Sequence, residues 1–92
     1  MPNDNVPPAE FSSLVASIAT GALMAMGLDP EGKAEPKAPD LDRAKFAIDL
    51  LDVLVAKTKG NLDAEEERHL GAVLHQLRLA FVDATRRGIP KS

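Results

Sequence analysis

From Phe11 to Leu28 the chain runs eighteen residues without a charged side chain. A helix made from such a run has no charged face, so something must cover it all round. The cover can be the rest of the chain, a second copy, or lipid. The run reaches the length of a membrane span. It is diluted, however, by Ser12, Ser13, Ser17, Thr20, Gly21 and Gly27, and only Asp4 and Glu10 precede it, with no basic segment of the kind that starts a signal peptide. The run therefore points to a core helix or a self-association seam in a cytoplasmic protein, and these features argue against attachment to a membrane.

The prolines divide the rest. Six of the seven lie in residues 1–9 and in the polar stretch up to Pro39. Pro and Gly at that density mark a disordered tail at 1–9 and a linker at 28–40. Between and beyond them lie three segments free of proline. Leu (12) and Ala (14) outnumber Val plus Ile (9), which favours helix over strand. The reading is all-α, one helical domain over 10–88. Its helices cover about 10–27, 41–59 and 64–87, and 89–92 form a tail.

The segments carry their own boundaries. Asp40 is placed to cap the second helix and Gly60 to end it. Asp63 and Glu66 have the spacing of a capping box at the start of the third helix. The short connection between them predicts an antiparallel hairpin. On the second helix Leu41, Ala44, Ile48, Leu51, Val55 and Thr58 form the expected core stripe, and Phe46, Leu50 and Val53 a second stripe beside it. On the third, Leu70, Leu74, Leu77, Phe81 and Ala84 make a seam, leaving Leu79 and Val82 outside it. On the first, Phe11 and Val15 lie on one apolar ridge, and Ser17, Gly21 and Ala25 on a ridge of small residues.

A chain of 92 residues buries only roughly two-thirds of its unfolded surface. Its apolar stripes exceed what one small interior can hide. The expectation is a homodimer, a dimeric helical bundle, with Phe11, Val15, Ser17, Gly21, Ala25, Phe46, Leu50 and Val53 as interface candidates.

Composition removes most chemistry. There is no cysteine, hence no thiol catalysis, thiolate metal site or disulfide. A net charge of −3, scattered Lys and Arg, and no Tyr or Trp argue against a nucleic-acid partner. No glycine-rich phosphate loop is present. His69 and His75 are six residues apart and point in different directions on a helix. Glu66 and His69 have the spacing of a dimetal carboxylate ligand pair, as do Asp49 and Asp52 in part. Glu66 is already explained by capping, so no metal or other cofactor is expected, and no enzyme.

The segment EFSSLVASIATGALMAMGL, a proline-rich linker, and AKTKGNLDAEEERHLGAVLHQLRLAFVDA together resemble a small bacterial family known as domain of unknown function 1844. The most specific piece is Lys57-Thr58-Lys59-Gly60-Asn61-Leu62 followed by acidic residues. The resemblance covers about residues 10–83 and implies a stand-alone helical protein of the bacterial cytoplasm, with no activity attached. The expected role is a non-catalytic interaction module that regulates or adapts an unidentified protein partner. Lys57, Lys59, Asn61, Glu65, Leu79 and Val82 are the candidate contacts. Association with a membrane surface through the first helix is the alternative.

Overall fold

The computed structural model describes residues 6–28 and 38–88. It is all-α: α1 (Phe11–Ala25), α2 (Leu41–Lys57) and α3 (Ala64–Gly88). Residues 1–5 of the expected tail, 29–37 of the expected linker, and the tail at 89–92 lie outside the described residues.

Each helix ends on chemistry written beside it in the chain. Around α3, the Glu66 amide donates to Asp63 Oδ1 at 2.8 Å and the Asp63 amide to Glu66 Oε1 at 3.0 Å. The capping box therefore satisfies two helix-end donors reciprocally. At α2 the Arg43 amide donates to Asp40 Oδ1 at 3.2 Å. Gly60 takes φ +85° in the turn to α3, where a side chain would be strained. The predicted second helix ends two residues early, at Lys57.

The first helix begins without a side-chain cap. Instead, the Pro8 carbonyl accepts from the Glu10 amide at 2.9 Å and from Ser13 Oγ at 2.5 Å. Its far end is a Schellman turn. Gly27 sits at φ +84°, its amide donates to Met24 O at 3.0 Å, and the Leu28 amide donates to Leu23 O at 2.9 Å. The Asp40 amide then donates to Ala25 O at 2.6 Å. This bond sets the end of α1 beside the start of α2, so the two run antiparallel.

All three helices touch one another. The core is built from Val15, Ala22 and Met26 of α1, Ala44, Ile48 and Leu51 of α2, and Leu70, Leu74, Leu77 and Ala84 of α3. The first helix is not buried all round, as its lack of charge predicted. Two neighbours cover only part of a helix, and Ser12, Leu14, Ala16, Ser17, Thr20, Gly21 and Met24 are exposed. Val55, expected in the core stripe, is 44% exposed. It lines the shallow groove between α2 and α3, where Gly71 offers no side chain to cover it.

Replacing the fully buried Leu51 by Ala should cost about 2–5 kcal/mol. A Cβ at Gly71 meets nothing within 4 Å, so Gly71→Ala should add about 0.5–1 kcal/mol of stability. Urea unfolding followed by far-ultraviolet circular dichroism measures both. A neutral Leu51→Ala would mean the core does not sit where these helices place it.

Candidate functional site

The surface left over has three parts. The first is a stripe on α2. Phe46 is 64% exposed and Val53 51%, with Leu50 beside them. These three recur at helical spacing on the side away from Ala44, Ile48 and Leu51. Arg78 of α3 reaches Asp52, and Val55 and Ala56 line the groove toward α3. The flank of α2 that carries Leu50 therefore faces α1.

The second part is the outer face of α1. Ala19 and Leu23 line a groove with Val73, Gln76 and Ala80 of α3. Leu14 and Gly21 lie on the opposite flank, beside α2. With Ala25 bonded to Asp40, the antiparallel register sets Leu14 about level with Leu50 and Leu51. The outer α1 face and the α2 stripe are neighbours, and no charge lies on the α1 part. The third part is on α3, where Leu79 (55% exposed) and Val82 project to solvent.

The interface candidates separate accordingly. Phe46, Leu50, Val53, Ser17 and Gly21 are exposed and share this side of the molecule. Val15 is fully buried in the chain's own core and is withdrawn as an interface residue. Phe11 and Ala25 are half-buried against that core.

At the tip of the hairpin Lys57, Lys59, Asn61 and Glu65 are all exposed. They do not converge. Lys59 lines the α2–α3 groove with Glu67, whereas Glu65 lines a different groove with Glu10, Phe11 and His69. Glu65 Oε1 and Oε2 also accept from Arg68 Nη2 at 2.7 and 2.8 Å. The Asn61 amide closes the turn by donating to Thr58 O at 2.8 Å.

Most charges of α2 are satisfied within the chain. Arg43 pairs with Asp40, Lys45 with Asp49, and Asp52 with Arg78. The Lys45 Nζ donates to Asp49 Oδ2 at 2.8 Å. That hydrogen bond, with the carboxylate's charge, holds the ammonium above its usual pKa. The Asp52–Arg78 pair joins α2 to α3 and was not anticipated from the sequence. Its only trace there is two opposite charges at one level of a hairpin.

His69 and His75 are exposed and on different sides of α3. Among the described residues no three His, Asp or Glu side chains stand close enough to share an ion. The Glu66–His69 and Asp49–Asp52 spacings therefore do not come together. No polar or charged side chain is buried among the described residues. Nor is any described helix long and apolar enough to cross a membrane.

Residues 8–83 match the family model described as a domain of unknown function, DUF1844. The chain belongs to this family. The match takes in α1, α2 and most of α3, so the DUF1844 region is the whole three-helix arrangement and not one piece of it. No curated protein and no solved structure matches the chain.

The local cap should matter more than the cross-helix ion pair. Asp63→Ala is expected to cost about 1 kcal/mol. Arg78→Ala, at an exposed pair, should cost about 0.5 kcal/mol or less. Equilibrium unfolding of the two variants side by side checks the order, and a reversal would show the hairpin held by its charges.

Proposed function

We propose that this DUF1844 chain is a non-catalytic, self-associating interaction module. It forms a homodimer, and the surface that remains engages another protein. The observation that carries this reading is the continuous side made by Phe46, Leu50 and Val53 of α2 and the charge-free outer face of α1. Phe46 is the largest of these and one of only three aromatic residues in the chain. Aromatic anchors standing out of an apolar patch are the usual centres of protein interfaces.

Leu79 and Val82, on α3, lie outside this patch and are the contacts offered to a second protein. A single exposed apolar pair of this kind suits docking by a short amphipathic helix. Association of α1 with a membrane surface is the competing reading. Interfacial helices normally carry a rim of Lys or Arg, and α1 has none.

Light scattering on a sizing column over a dilution series should give a mass near twice 9.8 kDa. Replacing Leu79 and Val82 together by Glu should leave that mass unchanged. A monomer at every concentration would overturn self-association. Flotation of the chain with liposomes would move the reading to the membrane surface.

A further inference from the structure

Along α2 the outward stripe reads Asp42, Phe46, Leu50, Val53, Lys57. The steps are four, four, three and four residues, so all five share one side of the helix. The middle three are apolar and exposed. The two ends carry opposite charges. They are also the two charged side chains of α2 with no partner among the described residues, since the other four are paired within the chain.

The ends are balanced about the centre. Asp42 lies about 12 Å from Leu50 along the helix, and Lys57 about 10.5 Å on the other side. We infer that α2 pairs antiparallel with α2 of a second copy, about a two-fold axis at Leu50. This rests on the self-association proposed above and adds its register. Leu50 then meets Leu50 of the second copy, Phe46 meets Val53, and Asp42 meets Lys57, the last two contacts occurring twice.

One feature favours a second copy over a different protein, and two more set how that copy packs. An isologous contact must be complementary to itself, and this stripe is, in pattern and in charge. Parallel pairing would set Asp42 against Asp42 and Lys57 against Lys57, and like charges repel. The last is area. A stable interface takes about 800 Å² from each partner. An α2 of 17 residues is only about 26 Å long, too little for one helix face alone. The adjoining α1 face, with Leu14, Ser17 and Gly21, extends the contact and holds no charge to repel its own copy.

The chain has no cysteine, so single thiols can be placed at will. Disulfides form only between Cα atoms about 4.4–6.8 Å apart. Under mild oxidation of full-length protein, the Leu50→Cys variant should cross-link to itself rapidly. The Phe46→Cys and Val53→Cys variants should each cross-link poorly alone, because antiparallel pairing holds like positions apart. Mixed together, those two should cross-link with one another. Asp42→Lys and Lys57→Asp should each weaken the dimer, roughly 3- to 10-fold, and the double exchange should restore it.

Efficient self-cross-linking of all three cysteine variants would show parallel pairing and overturn the register. A wild-type dimer in which none of them cross-links would place the contact elsewhere, overturning the register while leaving self-association standing. A wild-type chain that stays monomeric by light scattering would remove both.

Discussion

The constraint from which the rest follows is that α1 carries no charge and has only two helices to lie against. A helix between two neighbours buries about half its circumference. Val15, Ala22 and Met26 occupy that half, and all three are fully buried. The other half must be made of residues that tolerate water without charge, and it is: Ser12, Ser17, Thr20 and Gly21 dilute Leu14 and Met24 there. Such a face does not mark itself as solvent-facing with Lys and Glu. It is suited to contact with another neutral surface, which makes α1 the structural reason to look for a partner.

The same lack of charge governs how α1 ends. Helix termini leave carbonyls without partners, and a Lys or Arg in the last turn often helps. With none available, α1 closes on its own backbone through Gly27 and Leu28, and the Ala25 carbonyl is taken by Asp40. Asp40 thereby works on both sides of the linker. Its carboxylate caps α2 and its amide ties α1, so one residue turns local capping into the antiparallel placement of two helices. Because of that placement Ala22 and Met26 share one core with Ala44 and Ile48.

What could be read in the sequence follows from how far apart the interacting residues are. The caps at Asp40 and Asp63 involve neighbours three residues apart, and both were legible. So were the three helices and the seam through Leu70, Leu74 and Leu77, because polar residues beside them fix the phase of the pattern. The rotation of α1 was not legible for the opposite reason. With no charge anywhere on the helix, nothing in its pattern says which side faces water, and Val15 was placed at an interface when it belongs to the core. Val55 fits the core period of α2, but it lines the groove toward α3, and only the placement of that other helix decides this. For the candidate site, the stripe of Phe46, Leu50 and Val53 was visible as surplus apolar surface. That Asp42 and Lys57 are its ends, without a partner among the described residues, was not, because it requires knowing that Asp52 meets Arg78 across the hairpin.

Dimerisation through α2 would also change what the opposite surface can do. Leu79 and Val82 on α3 stay outside the pairing, so a two-fold dimer presents them twice. One exposed Leu–Val pair is a small contact, and a single site of that size binds weakly. Two copies held at a fixed separation bind a partner that is itself dimeric, or that repeats its docking segment, far more tightly than either does alone, because the second contact forms at a high effective concentration. On this argument the small size of the α3 patch is no objection to an interaction role. It ties that role to the integrity of the dimer, so that loss of pairing at Leu50 weakens capture of a bivalent partner even though no residue of the α3 patch has changed.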